Sequence, residues 1–189
     1  MKYLEDVILK EGTVIDNKII KVDTFLNHQI KPEIINEFAN EVVKHFSGVK
    51  VDKVLTIETS GIAVAYAVAE KFGNVPVVFA RKTRSATTGD NIYSAYIKSF
   101  TRNIFSEVTV SKDFLKENEN IIVVDDFLAE GNAGIGLIDI CRQGKANVVG
   151  FATVIEKGFQ GGRKKIEAQG VEVFSGAIIK EFVEGKPIF

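Results

Sequence analysis

The chain has 189 residues, 46% of them apolar and 26% charged, an ordinary balance for a globular protein long enough to bury a full core. Its 24 Lys and Arg against 25 Asp and Glu leave a formal net charge of −1, without the basic footprint of a nucleic-acid or anionic-membrane binder. One cysteine forbids an intrachain disulfide, two histidines give no metal-ligand spacing, and no apolar run approaches the ~18 residues of a membrane span. Met1 to Lys10 carries Glu5 and Asp6 without an apolar run, so no signal peptide is expected. These features predict one cytoplasmic domain over residues 1–189.

Leu4, Val7 and Ile8 mark a short helix stopped by Gly12, followed by a strand-like run from Val14 to Ile20. Val22 to Gln29 is polar and aromatic. Pro32 then opens a helix whose Ile34, Phe38, Val42 and Phe46 recur every four residues, with Gly48 ending it. Lys53 to Ile57 reads as a strand, Glu58 to Gly61 as a loop, Ile62 to about Phe72 as a helix and Val75 to Ala80 as the next strand. That βαβ order implies parallel pairing with a right-handed crossover. Residues 81–91 are cationic and then hydroxyl-rich with no apolar anchor, so a loop of this length is functional or disordered. Residues 93–111 suggest two antiparallel strands around Thr101-Arg102-Asn103.

Ile121-Ile122-Val123-Val124 reads as a strand buried on both faces. Asp125 and Asp126 stand at its carboxyl end, before a loop with Gly131 and Gly134 and a helical pattern that includes Cys141, expected as a buried structural thiol. A loop of free backbone N–H groups at a helix start binds anions, and open α/β sheets bind ligands at strand ends. Carboxylates for sugar hydroxyls and amides for phosphate suit a sugar phosphate. Successive residues at a strand end point to opposite sides, so the two carboxylates need not crowd each other. Either can tolerate Mg²⁺, which prefers oxygen ligands. Val148 to Ile155 is a further strand, Lys157 to Gly162 a loop, Arg163 to Gln169 a short helix and Val171 to Ile179 a final strand. The sum is an α/β fold, a mainly parallel twisted sheet with flanking helices.

Val123-Val124-Asp125-Asp126-Phe127-Leu128-Ala129-Glu130-Gly131-Asn132-Ala133 resembles the phosphoribosyl pyrophosphate signature of the type I phosphoribosyltransferases. Glu58-Thr59-Ser60-Gly61-Ile62 is similar to that family's pyrophosphate loop, and Val78 to Lys82 with the stretch after it to its strand and flexible lid. Residues 22–29 and 154–160 most resemble the xanthine-specific bacterial branch. The resemblance implies an N- and C-terminal hood, with residues 1–36 helping to bind the base, and a lid and hairpin over 81–111. It also implies a homodimer whose partners are otherwise small molecules.

Residue by residue, the resemblance gives Ala129, Glu130, Gly131, Asn132 and Ala133 to the 5-phosphate, with Thr59, Ser60 and Gly61 beside the pyrophosphate. Glu130 and Ala133 depart from the threonines common in that loop; a glutamate facing a dianion is repelled, so its side chain is expected to point outward. Asp125, Asp126, Lys82 and Arg81 are the catalytic candidates, Arg84 a further phosphate contact, and Mg²⁺ is expected mainly through the pyrophosphate. Ile20, Asn27 and Lys157 would meet the purine. An ammonium is donor-only, so Lys157 suits a ring carbonyl and clashes with the amine of adenine. Phe25, Phe127 and Phe159 are candidate aromatic faces, more often core than stack, and His28 is expected to be structural. The implied reaction joins xanthine to the ribosyl 5-phosphate; other purine specificities and a non-catalytic sensor are the alternatives. A sensor of this fold would need an extra DNA-binding domain, for which 189 residues are expected to leave no room.

Overall fold

In the computed structural model, residues 1–82, 91–98 and 105–189 are described. Arg84, the hydroxyl-rich stretch after it and the turn at Thr101–Asn103 lie outside them.

Five strands form the central sheet: β3 (Lys53–Ile57), β4 (Val77–Ala80), β7 (Asn120–Leu128), β8 (Asn147–Lys157) and β9 (Val173–Ile179), in the order β4-β3-β7-β8-β9, all parallel. Residues 121–124 are wholly buried, as an apolar run in a two-sided parallel sheet must be. Their side chains alternate between two cores. Val54, Ile122 and Val124 join the core beneath α1 (Lys2–Glu11), α2 (Pro32–His45) and α3 (Gly61–Lys71). Leu55, Ile121 and Val123 join the one beneath α4 (Asn132–Gln143), α5 (Gly162–Glu167) and the antiparallel pair β5 (Ile92–Lys98) and β6 (Phe105–Ser111).

The crossover β3-α3-β4 runs toward one edge of the sheet and β7-α4-β8 toward the other, with α3 and α4 on opposite faces. Right-handed connections demand that placement when the winding direction reverses. The reversal puts a topological switch point between the carboxyl ends of β3 and β7, where doubly wound sheets open a crevice.

Three expectations need correction. The run from Val14 to Ile20 is two short strands, β1 (Thr13–Ile15) and β2 (Ile19–Lys21), paired as a hairpin. Asp16 and Asn17 turn it with φ of 52° and 48°, the left-handed region that Asp and Asn tolerate. The chain does not finish at Ile179 either: β10 (Glu181–Val183) and β11 (Lys186–Ile188) form a second hairpin, turned at Glu184 and Gly185. Strand β8 also runs through Lys157, so that lysine ends a strand instead of lying on a loop. The two hairpins meet, with the Gly185 N–H donating to Asn17 Oδ1 at 2.9 Å. Residues 23–27 make a single π-helical turn that buries Phe25 and Leu26. Among the described residues, no helix is long and apolar enough to cross a membrane.

Candidate active site

Glu58 to Gly61 follow β3 and lead directly into α3, whose cap residue Ser60 makes no side-chain capping bond. Thr59 is exposed and Ser60 half-buried, where the first amides of a helix have no intrahelical partner. Gly61 leaves no room for a side chain: a β-carbon there would run into the Thr56 hydroxyl and lie 3.2 Å from Asp125 Oδ1. The helix start is thereby drawn against the end of β7.

Asp125 and Asp126 are both buried, at 6% and 9% exposure. Asp125 Oδ1 accepts the backbone N–H of Asp126 at 2.9 Å. Burial pushes the Asp125 carboxyl well above the usual carboxylate range, and the charge of Asp126 and a hydrogen bond from it add to the rise. Alternation therefore does not isolate Asp125 from Asp126, whose carboxyl acts on it. The charge of Lys82 opposes the rise, which brings to the acid pair a cation predicted on a different strand. The Lys82 backbone N–H donates to Glu58 Oε1 at 2.5 Å, and Arg81 pairs with Thr109 through two 2.9 Å backbone bonds. Both cationic side chains are exposed.

On the other side of the acid pair, Ala129 to Ala133 wrap into the start of α4. Gly131, the cap residue, has φ +80°, open to glycine and costly to others. Being a glycine, it makes no side-chain capping bond, and its carbonyl accepts from the Ile135 N–H at 2.9 Å. Asn132 and Ala133 are half-buried. Glu130 is 45% exposed, with Oε2 3.9 Å from Lys165 Nζ, so its carboxylate turns toward solvent and a surface lysine, as expected.

Lys157 is buried, and its Nζ donates to the Lys18 carbonyl at 3.3 Å, in the turn of the first hairpin. Burial lowers the pKa of its ammonium. The same hairpin carries Ile20, whose side chain is buried. Asn27 ends the π-helical turn and is exposed, as is His28. Of the three phenylalanines, Phe25 belongs to the core and Phe127 packs against it. Phe159 is half-exposed and meets Phe182 of the second hairpin edge-on, ring centres 5.7 Å apart. The Cys141 thiol is buried and raised to about 12 by that burial, a core group as predicted.

Sequence reasoning passed over several supporting residues. Glu58 anchors the Lys82 backbone, Thr56 lies under Gly61, and the Gly162 N–H donates to the Ala129 carbonyl at 3.1 Å. A β-carbon on Gly162 would strike that carbonyl and come within 2.8 Å of the Gly131 nitrogen. The adjacent pair Gly161-Gly162 was the one signal available, since two glycines together permit close backbone approach.

A family model for the phosphoribosyl transferase domain matches residues 21–186. The chain is 48% identical, over 189 residues and the full length of both, to the xanthine phosphoribosyltransferase of Clostridium tetani. It is 48% identical to that of Finegoldia magna, covering 100% of this chain and 99% of the relative, and 46% identical to that of Laribacter hongkongensis over the full length of both. Among solved structures it superimposes on an adenine phosphoribosyltransferase from Rhodothermus marinus with a TM-score of 0.76 at 17% identity, over 95% of this chain and 100% of the other. A second, from Thermoanaerobacter pseudethanolicus, gives 0.73 at 20% identity over 93% and 99%. At such identities the two structures speak for the fold alone. With the family domain spanning most of its length, the chain belongs to the type I phosphoribosyltransferases and lies close in sequence to the bacterial xanthine phosphoribosyltransferases.

Proposed function

We propose that the protein transfers the ribosyl 5-phosphate of phosphoribosyl pyrophosphate to xanthine, giving xanthosine 5′-monophosphate and pyrophosphate. One observation carries this reading: two buried aspartates stand between two helix starts, at Gly61 and at Asn132, at the switch point of the sheet. A sugar carrying anions at both ends fits between them. The amides of Ala129 to Ala133 hold the 5-phosphate, and Asp125 and Asp126 accept the ribose hydroxyls. Thr59, Ser60 and Gly61 receive the pyrophosphate.

Pyrophosphate leaves with three or more negative charges, and Lys82, with Arg81, offsets them as the bond to the anomeric carbon breaks, a role supported by the effect of the Lys82 charge on Asp125. Positive character then develops on that carbon, and the Asp126 carboxylate stabilises it electrostatically. Among the described residues, no three His, Cys, Asp or Glu side chains gather as a metal cluster. Two adjacent carboxylates suit Mg²⁺ held mainly by the pyrophosphate, with Asp125 or Asp126 as the protein's contribution. The ion would supply charge neutralisation of the leaving group.

Lys157 supports an oxopurine acceptor, because a buried ammonium needs carbonyl acceptors and has nothing to offer the exocyclic amine of adenine. Ile20 and Asn27 complete that end of the site. The 45–48% identities to proteins named xanthine phosphoribosyltransferase support xanthine among the oxopurines. A homodimer is part of this reading, supported by the exposed apolar rings of Tyr66, Phe79 and Phe114. So is a cytoplasmic location, which suits a lone, buried, unoxidised cysteine.

Purified protein, Mg²⁺ and phosphoribosyl pyrophosphate, offered xanthine, guanine, hypoxanthine and adenine in turn, test the assignment. Xanthine is expected to react fastest. If xanthine is the slowest of the four, the acceptor is wrong; if no base releases pyrophosphate, the protein is a sensor and the enzyme reading falls.

A further inference from the structure

Glu156 is a buried carboxylate for which the mechanism above has no use. It stands one residue before Lys157 and is 3% exposed. Arg163 closes on it with Nε 3.1 Å from both carboxylate oxygens and an NH2 nitrogen 2.6 Å from Oε2. The hydroxyl of Ser175 donates to the same oxygen at 2.5 Å while accepting from Arg163 at 3.0 Å. Arg163 also donates to the Val173 carbonyl at 2.8 Å, so its fork spans β8 and β9 at once.

The arginine lies one residue after Gly162, whose N–H holds the Ala129 carbonyl and whose backbone lies so close to Gly131 that a β-carbon on either glycine would meet the other's backbone within 3.0 Å. One ion pair thus has Lys157 beside one member and the brace of the Ala129–Ala133 loop beside the other. Leu128, the last residue of β7 before that loop, is also the strand partner of Glu156. The fork geometry is directional, so it fixes a distance as well as a charge balance.

We propose that Arg163, acting through Glu156 and Gly162, is a positioning residue that sets the spacing between the Ala129–Ala133 loop and Lys157. The inference rests on reading those two groups as the donor-phosphate site and the acceptor-base site. Each subsite is intact by itself; what the clamp governs is their separation. Misplacement of reacting groups by about 1 Å costs on the order of a hundredfold in rate.

Arg163→Lys keeps the charge opposite Glu156 and removes the fork, so no buried carboxylate is left unpaired. The double variant Glu156→Gln, Arg163→Gln removes both charges and keeps hydrogen-bonding capacity. Both are first checked for native circular dichroism, and then kcat is compared with the separate affinities for ribose 5-phosphate and for xanthine by calorimetry. The expected result is affinity for each ligand alone within about threefold of the parent, with kcat lowered about a hundredfold. A merely structural ion pair would lower the melting temperature and leave kcat unchanged, and a folded variant of that kind overturns the clamp. So does a loss confined to one ligand's affinity. A parent enzyme with no turnover would instead overturn the reading of the site.

Discussion

The hydroxyl of Thr56 fills the space that a side chain on Gly61 would need, and among the described residues it has no hydrogen-bond partner. Adding a methyl group therefore has to move the start of α3 away from β7. Gly61→Ala is expected to lower kcat/KM for phosphoribosyl pyrophosphate at least tenfold, about 1.4 kcal/mol of transition-state binding, with a smaller effect on the KM for xanthine. Thr56→Ala in the same chain should restore part of the loss, since Asp125 Oδ1 still lies 3.2 Å from the added carbon. Steady-state kinetics of the single and double variants check this.

Asp125 is held neutral by burial and by the charge of Asp126 over a range in which an unfolded chain has ionised it. Its folded pKa is raised, so in the window above the ordinary value of about 4 the native state keeps a proton that the unfolded state releases. Stability then falls as pH rises through that window. Asp125→Asn removes the slope. Its melting temperature should gain on the parent's between pH 4 and pH 7.5, while turnover is lost. Calorimetric melts at the two pH values decide the matter.

Lys157 is predicted to divide the two substrates. Lys157→Met should raise the KM for xanthine about 10- to 100-fold, the worth of a charge-assisted hydrogen bond, and leave the KM for phosphoribosyl pyrophosphate within threefold. Initial rates with each substrate varied in turn measure both constants.

Glu130 is the opposite case. With its carboxylate 45% exposed and near Lys165, it gains little from that pairing and takes nothing from a bound phosphate. Glu130→Thr should change the KM for phosphoribosyl pyrophosphate by less than about threefold. A large rise would mean that the side chain faces the phosphate during binding.

The parallel sheet was legible because Ile121 to Val124 is apolar on both faces, a pattern that few other environments produce, and because Lys53 to Ala80 runs strand, helix, strand. Helix α2 was legible from its four-residue repeat. The Asp125-Asp126 pair and the Gly131 loop were legible because their neighbours in space are also neighbours in sequence. Arg163, Thr56 and Glu58 were not: Glu58 acts on Lys82 of the neighbouring strand, and the contacts of Thr56 with Gly61 and of Arg163 with Glu156 cross a strand-to-helix turn that has no sequence period. The terminal hairpins were missed for another reason. Strands of three residues are too short to show a period of two, and their only local signals were Asp16-Asn17 and Glu184-Gly185. The influence of Asp126 on Asp125 was not legible from alternation, because that rule describes only where Cβ points.

The order β4-β3-β7-β8-β9 also sets a length. Lys82 follows β4 and Lys157 ends β8, three strand intervals apart, or roughly 14 Å at about 4.8 Å per interval. A compound designed to engage both lysines at once must reach sideways across the strand ends by that much, with its anionic head and its carbonyl-bearing ring at opposite tips. Fragments shorter than this will occupy one half of the crevice and leave the other to water.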